Sequence, residues 1–429
     1  MAVLALLSLV VAACPAGAAE VLPLPSTERV AETAVVPQRT AERLARQQQR
    51  HAEQARLKFE RIAKRRLEQA GRSAVGRRPA LSPALNVSAQ PSTSSVRTEV
   101  AGITITAPPM GTDPTIGAPS TGRGRPFDAA ELQELLTRWT ASRSDLGAMT
   151  VTIRQNDQSW TGSARNGGVA PDPMQRYRSL SVTKTITAAL VLRQVELGTI
   201  SLDAPVPPLT GVSAPVPPGL TVRQLLHHRS GLVDYNAAPG YLATAPLAPR
   251  DAVELSLRAP LRAPVDSVTA YTNSNYLYLG LLLEQVTGRS YGDLVSELAA
   301  SIGLPSTRLE PPDRPGWAGF SSGGVMSTTA DLALWGEALT TPGRVLRESS
   351  LREMERFDEN RAGLGIWAYC PCPSLDGTQI LGHHTATGGL FIVPGRSLVI
   401  AMRADVEVGD TAGRALALIE AIDAQRSAR

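Results

Sequence analysis

The apolar residues that follow position 126 recur at helical spacing in several separate stretches. Leu132, Leu135 and Leu136 share one face of a helix predicted over residues 127–139. A second helix, rich in apolar residues and typical of a buried element, is predicted to begin near Ser181 and to end at Gly198. Further helices are predicted over residues 220–226, 276–288, 330–339 and 411–424.

Two groups of strand-like stretches flank these helices. Strands are predicted over residues 148–154 and 159–163, joined by a turn at Asn156-Asp157, and over residues 364–369, 381–387 and 397–404. Because turn residues separate the later stretches, we expect successive strands of one antiparallel sheet. Residues 126–425 are therefore predicted to form one α+β domain, with an antiparallel sheet flanked by helices and a mostly helical subdomain.

The first 71 residues contain two segments of different character. Residues 1–19 are too short for a membrane span of about 20 residues and are predicted to be a signal peptide. Residues 20–71 are predicted to form a charged helical arm that contains no proline or glycine from Thr40 to Ala70. Basic residues outnumber acidic ones in this helix, which serves either as a solvated spacer or in weak association with membrane or wall polymer.

The route of export stays open in the sequence. Residues 11–14 are similar to a lipoprotein box that would leave Cys14 as a lipidated N-terminus, whereas residues 16–18 form an ordinary A-x-A cleavage site. No Lys or Arg precedes the apolar run, so two further alternatives stay open: the true start lies upstream, or the segment is not an export signal. We expect a periplasmic or secreted protein, lipid-anchored only if Cys14 is kept.

The composition of the chain limits the kinds of partner and cofactor that we expect it to bind. Residues 72–125 are rich in Pro, Ser, Thr and Gly and are predicted to be a flexible, disordered linker. The net charge is +4 over 429 residues, and no nucleic-acid motif is present, so no nucleic-acid partner is expected. Metal-ligand spacing is also missing, and we predict no metal and no cofactor. Cys370 and Cys372 form either a tight disulfide or two free thiols.

The strongest candidate for chemistry is the S-x-x-K stretch at Ser181 and Lys184. On a helix this spacing places both side chains on one face, at an N-terminal end where the dipole favours developing negative charge. A serine is a weak nucleophile until a base takes its proton. A lysine serves as that base only if burial or a neighbouring cation lowers its pKa.

Three later stretches carry further polar side chains. Tyr271 and Asn273 lie two residues apart before an apolar helix, so both can point to the same side of an extended segment. Residues 383–389 combine two histidines with a strand and a turn, where an edge N–H can act as an oxyanion donor. Residues 321–328 contain paired glycines and are predicted to be a structural turn, with Ser327 or Thr328 capping the next helix.

These stretches occur in the order of the three motifs of penicillin-recognising serine hydrolases. The chain from residue 127 to 424 resembles this family, which includes class C β-lactamases, D-alanyl-D-alanine carboxypeptidases and related esterases. Two connecting stretches also match, at residues 225–232 and at residues 276–280 followed by Thr287-Gly288. The resemblance implies a β-lactamase/transpeptidase-like fold.

The resemblance also implies catalytic roles. Ser181 would attack a carbonyl carbon and form an acyl-enzyme, while Lys184 would accept or orient the serine proton. Tyr271 would pass a proton to the leaving nitrogen and help to activate the deacylating water. Asn273 would hydrogen-bond Lys184 or the substrate amide. By contrast, His228 is expected to brace the nearby Ser-Gly turn rather than to take part in chemistry.

Substrate binding is assigned by the same resemblance to the third motif. The N–H groups of Ser181 and Ala386 would form the oxyanion hole. His383 would bind a substrate carboxylate if protonated or donate a hydrogen bond if neutral, and a one-residue slip that exchanges it with His384 stays open. Thr385 stands where relatives carry Gly, so its side chain either crowds a peptide substrate or turns outward beside a bulge.

The sequence therefore predicts a serine hydrolase that acts on D-alanyl peptides, β-lactams or related amides and esters. A D-alanyl-D-alanine carboxypeptidase or a β-lactamase is favoured, and the partner is a small molecule or a peptidoglycan stem peptide. The alternative is a penicillin-binding or wall-binding scaffold protein with little turnover.

Overall fold

The computed structural model describes residues 127–141, 147–156, 158–311, 315–369, 379–405 and 411–427. The predicted signal peptide, helical arm and linker lie outside these residues, and so do Cys370 and Cys372. Within the described ranges, no helix combines the length and apolar character needed to cross a bilayer.

The helices and strands agree in type with most of the predicted elements. The α-helices are α1 (Ala129–Ala141), α2 (Thr183–Glu196), α3 (Val222–Leu226), α4 (Pro249–Arg258), α5 (Asn273–Thr287), α6 (Tyr291–Ile302), α7 (Phe320–Gly323), α8 (Thr329–Thr340), α9 (Glu348–Met354) and α10 (Thr411–Ser427). The strands are β1 (Ala148–Gln155), β2 (Gln158–Arg165), β3 (Tyr177–Arg178), β4 (Arg308–Leu309), β5 (Val325–Ser327), β6 (Trp367–Ala368), β7 (Leu381–Thr385), β8 (Gly388–Val393) and β9 (Leu398–Ala404).

The main sheet in the described part of the chain is antiparallel throughout, in the order β2-β1-β9-β8-β7-β6. β1 pairs with β9, so the first and last strands of the domain join at the centre of one sheet. The sequence reading missed β8, because all six of its residues are buried and show no alternation, and because it begins with two glycines. The strand predicted over residues 381–387 ends at Thr385, where a two-residue turn leads directly into β8.

Both faces of this sheet are covered. Apolar residues of α1 and α10, including Leu136 and Leu418, pack with Phe391 and Ile400 on one face. On the other face α8 lies so close to the sheet that a Cβ added at Gly336 would come within 2.8 Å of Cγ1 of Val399. The strand that carries the third motif is therefore held between two packed layers.

The helical part of the domain is built on α2, which the sequence predicted to be buried, and α5, which it predicted to be an apolar helix. Every residue from 183 to 192 in α2 and from 274 to 283 in α5 is buried. Helix α5 is capped at its start by Thr272, whose hydroxyl accepts from the Ser274 N–H, and at its end by Gly288 with φ of +66°. The missing side chain of Gly280 lets Ser321 in α7 approach the backbone of α5 directly.

A small second sheet, ordered β3-β5-β4, leads the chain to Ser181. The Ser179 N–H donates to the Val325 carbonyl at 2.8 Å, which fixes the last extended residues before a 3₁₀ turn at Leu180–Val182. After β5, Thr328 caps α8 by accepting from the Asp331 N–H, which selects one of the two predicted caps.

Candidate active site

Ser181 lies in the 3₁₀ turn, and Lys184 lies in the first turn of α2. The two side chains meet, with Lys184 Nζ 3.2 Å from Ser181 Oγ. Leu180, immediately before the serine, has φ of +46°, a left-handed conformation that a branched side chain adopts only at a cost in free energy. The predicted pairing of hydroxyl and amine is therefore present, although the serine belongs to a turn that precedes the α-helix.

Lys184 is fully buried and has three acceptors around its nitrogen. Besides Ser181 Oγ, Nζ donates to Asn273 Oδ1 at 2.8 Å and to the Ser322 carbonyl at 2.7 Å. Burial lowers the pKa of this ammonium from its ordinary value to about 7, and the nearby Asp234 carboxylate opposes the shift. Lys184 is also the only lysine after Lys64 in the sequence.

The two shorter contacts determine how the neutral amine can act. A neutral amine keeps two N–H groups, which match Asn273 Oδ1 and the Ser322 carbonyl, and its lone pair then points to Ser181 Oγ. This arrangement lets Lys184 accept the serine proton without breaking either of its other hydrogen bonds. The sequence reading favoured a purely structural role for residues 321–328, and the Ser322 carbonyl adds a direct contact with the base.

Tyr271 is the second side chain that contacts the Ser181 hydroxyl. Its Oη lies 2.5 Å from Ser181 Oγ, and Lys184 Nζ lies 4.9 Å from the centre of its ring. Loss of hydration raises the pKa of the Tyr271 phenol well above its ordinary value, and the hydrogen bond with Ser181 only partly opposes this. The phenol therefore stays protonated near neutral pH and is a proton donor, which leaves the role of base to Lys184.

Asp234, which the sequence reading missed, orients Asn273. One carboxylate oxygen, Oδ2, accepts from both the backbone N–H and the side-chain N–H of Asn273, at 2.8 and 3.0 Å. These bonds fix the amide so that its oxygen faces Lys184. The other oxygen, Oδ1, is buried and has no hydrogen-bond partner among the described residues. The sequence gives only a weak indication of this role, because Asp234 is a single acidic residue in the loop that follows the Ser230-Gly231 turn.

His228 supports the segment that carries Tyr271. Its Nδ1 accepts from the Thr272 N–H at 3.3 Å, and its carbonyl accepts from the Ala270 N–H at 2.7 Å. Its ring centre is 4.5 Å from that of Tyr271. Within the nearby Ser230-Gly231 turn, the Ser230 hydroxyl accepts from the Leu232 N–H at 3.1 Å and donates to Asn275 Oδ1.

The third motif lies on β7, which packs beside the turn that holds Ser181. His383 is buried, its ring centre is 6.2 Å from that of Tyr271, and its Nδ1–H donates to the His384 carbonyl at 3.2 Å. Burial, together with the nearby Lys184 and His384, lowers the pKa of the His383 imidazole well below its ordinary value. His384 faces elsewhere and places Nδ1 2.8 Å from Tyr369 Oη.

Thr385 and Ala386 form the end of β7 and the start of its hairpin turn. The Thr385 hydroxyl accepts from the Thr387 N–H at 3.2 Å and donates to the Gly388 carbonyl at 3.2 Å. The side chain that replaces the usual glycine thus folds back onto its own turn. The part of Ala386 in an oxyanion hole stays a prediction.

Within the described ranges, no group of three or more His, Cys, Asp or Glu side chains is placed to hold a metal ion. The chemistry of the site lies in a serine hydroxyl between a buried lysine and a protonated phenol. On an antiparallel sheet with helices on both faces, these groups define a serine hydrolase of the β-lactamase/transpeptidase fold.

Comparison with known proteins gives the family. The family model described as Beta-lactamase matches residues 133–421, and the chain belongs to this family. Penicillin-binding protein 4 of Amycolatopsis lactamdurans is 27% identical over 334 residues, which cover 65% of this chain and 85% of that protein. The resemblance seen in the motifs is therefore confirmed at the level of the family.

Solved structures share the fold. The D-stereospecific amidohydrolase from Streptomyces sp. has a TM-score of 0.56 and 24% identity, with coverage of 66% of this chain and 95% of that chain. The D-amino acid amidase from Ochrobactrum anthropi has a TM-score of 0.58 and 18% identity, with coverage of 69% and 99%. The predicted fold class is confirmed by these similarities.

Proposed function

We propose that the protein hydrolyses amides or esters through an acyl-enzyme formed on Ser181. The observation that carries the proposal is the position of Ser181 Oγ, 3.2 Å from Lys184 Nζ and 2.5 Å from Tyr271 Oη. In acylation, neutral Lys184 takes the serine proton while Oγ attacks the carbonyl carbon. The Tyr271 phenol then gives its proton to the leaving atom and regains one from Lys184.

Hydrolysis of the acyl-enzyme needs the same groups. Once the leaving group has gone, Lys184 is neutral again and Tyr271 is protonated again, so Lys184 can take a proton from the water molecule that attacks the ester carbonyl, and Tyr271 can give a proton to Ser181 Oγ as it leaves. The N–H groups of Ser181 and Ala386 are the proposed donors to the negatively charged oxygen in both steps. Ser181 is then released with its proton restored.

D-alanyl peptides, β-lactams and related amides and esters are the proposed substrate classes. The similarity to a penicillin-binding protein supports this choice, and so does the fold shared with a D-stereospecific amidohydrolase and a D-amino acid amidase. We also propose export of the protein. Intact-mass analysis of material from the culture fluid and the membrane fraction would identify the mature N-terminus and any lipid on Cys14.

A fluorophosphonate probe, which phosphonylates activated serines, tests the mechanism directly. We expect labelling of the wild type at Ser181 and no labelling of Ser181→Ala. Ser179→Ala is the matched control. Ser179 lies two residues before Ser181, and its hydroxyl is buried and has no hydrogen-bond partner among the described residues. Equal labelling of wild type and Ser181→Ala would disprove the proposal.

Steady-state turnover then separates a hydrolase from a protein that only binds penicillin. An ester of D-alanine and a chromogenic cephalosporin would be followed under the same conditions. Multiple turnovers of either compound are the expected result. A single stoichiometric acylation followed by no further product would identify the low-turnover scaffold.

A further inference from the structure

His383 presents a bare acceptor inside the proposed active site. The residue is 4% exposed, and its Nδ1–H is already donated to the His384 carbonyl at 3.2 Å. The opposite ring nitrogen, Nε2, is buried and has no hydrogen-bond partner in the part of the chain that the structure describes. A neutral imidazole carries only one N–H, so Nε2 offers a lone pair.

The surroundings keep this imidazole neutral. Burial disfavours its charged form, and Lys184 and His384 lie close enough to oppose a second positive charge. A buried acceptor without a donor is costly, and a ligand that supplies the donor removes that cost. The two roles that the sequence left open for His383 were a cation for a carboxylate and a donor, and the geometry provides neither.

The position of the ring indicates which part of a substrate it meets. The His383 ring meets the ring of Tyr271 edge-on, and Tyr271 is the phenol that hydrogen-bonds Ser181 Oγ. The atom that receives the Tyr271 proton is the leaving atom, and His383 packs on Tyr271, so the leaving group is the part of a substrate that we expect to meet His383. Asp234, whose charge acts on Lys184, has a buried Oδ1 without a partner among the described residues and adds negative charge near the site.

We propose that His383 selects substrates whose leaving group offers a hydrogen-bond donor and carries no carboxylate, with a primary amide as the simplest case. This proposal rests on the proposed hydrolase function and narrows its substrate class. The Ser181 Oγ–carbon bond forms as the carbon–nitrogen bond breaks, and the –NH₂ group leaves as ammonia with a proton from Tyr271. Water then converts the acyl-enzyme to the free carboxylic acid and restores the serine.

The test compares two compounds with the same acyl part. D-Alaninamide and D-alanyl-D-alanine would both acylate Ser181 with a D-alanyl group, but the leaving groups are ammonia and a carboxylate-bearing amine. We expect kcat/KM of the wild type to be about 10- to 100-fold higher for the amide, the ratio expected from one buried polar group left unpaired. Equal values, or a preference for the dipeptide, would overturn the proposal.

A substitution at His383 tests whether this residue sets the preference for the amide. His383→Lys places an ammonium where the lone pair was and should lower the amide-to-dipeptide ratio of kcat/KM by about 10-fold or more. His384→Asn is the matched control on the same strand, and its ratio should stay at the wild-type value. An unchanged ratio in His383→Lys, in protein that still reacts with the fluorophosphonate probe, would also overturn the proposal.

Two outcomes distinguish this proposal from the proposed function. If Ser181 reacts with the probe and D-alanine ester is hydrolysed, but the amide is not preferred, only the role of His383 fails. If neither labelling nor ester hydrolysis occurs, the hydrolase function fails. Should His383→Lys not fold, as judged by circular dichroism, the wild-type ratio decides the proposal alone.

Discussion

Replacement of Lys184 by methionine removes a fully buried amine while keeping a side chain of similar length. The pKa of Lys184 falls from its ordinary value of 10.5 to about 7 in the folded protein. At 1.36 kcal/mol per pH unit, this difference amounts to about 5 kcal/mol of unfavourable interaction with the protonated form. Lys184 thus lowers the stability of the fold at acidic pH, and it does so at the position where the proposed mechanism needs a base.

The sign of the pH dependence follows from proton binding. Below pH 7 both the folded and the unfolded chain carry the proton, so the full burial cost is present. Between pH 7 and 10.5 the unfolded chain holds more of the proton than the folded one, and stability rises with pH. From pH 7 to pH 9, the free energy of unfolding of the wild type should therefore increase by about 2 kcal/mol relative to Lys184→Met.

Guanidinium unfolding at pH 7, 8 and 9 would measure this difference. Lys184→Met is the reference for every other titrating group, since both proteins share the same cysteines, histidines and tyrosines. Lysine ¹³Cε NMR gives a direct second measurement, because the sequence contains only Lys58, Lys64 and Lys184. Parallel pH curves for the two proteins, or three lysine signals that all titrate near 10.5, would refute the reasoning.

The same variant should also lose activity. General-base catalysis contributes about 10²- to 10⁴-fold, so acylation of Lys184→Met, followed with the fluorophosphonate probe, should slow by that factor. In the wild type the acylation rate should rise with pH to a plateau above about pH 7, since only the neutral amine accepts the serine proton. A near-normal rate in the variant would contradict the assignment of Lys184 as base.

Three further predictions concern neighbouring groups. Tyr271→Phe should slow acylation by an amide about 10²-fold yet spare a nitrophenyl ester, whose leaving group needs no proton; equal losses in stopped-flow measurements would argue against a proton donor. Asp234→Asn should lower the pKa of Lys184 further, because the Asp234 charge raises it, so a pH–rate profile whose acidic limb does not move to lower pH would contradict this electrostatic effect. Leu180→Gly should be about 1 kcal/mol more stable than Leu180→Ala in thermal unfolding, because glycine adopts φ of +46° freely, and equal stability would exclude backbone strain there.

The local parts of the site could be predicted from the sequence. Ser181 and Lys184 are three residues apart, and the apolar run behind them predicted the buried helix that carries Lys184 directly after the turn that holds Ser181. Tyr271 lies just before another buried helix and Asn273 is its first residue, so a short spacing again carried the information. The resemblance supplied the order of the motifs and hence the expectation that these segments converge.

The long-range contacts could not be predicted. Asp234 reaches Asn273 from a loop, and the Ser322 carbonyl reaches Lys184 from the short helix α7; no spacing in the sequence joins these residues. The end of β7 at Thr385 also lies two residues before the predicted end of this strand. Contacts of this kind depend on the packing of distant elements, which periodicity does not encode.

The absence of lysine beyond residue 184 has a consequence for the whole surface of the domain. Its ion pairs, such as Arg154 with Glu337 and Arg396 with Asp423, use guanidinium groups that stay charged in mild alkali. The electric field of these surface groups is therefore nearly constant over the pH range in which Lys184 Nζ, inside the cleft, loses its proton. A change in the pH of the solution can therefore change the protonation of Lys184, and with it the reactivity of the site, without breaking the arginine ion pairs of the surrounding surface.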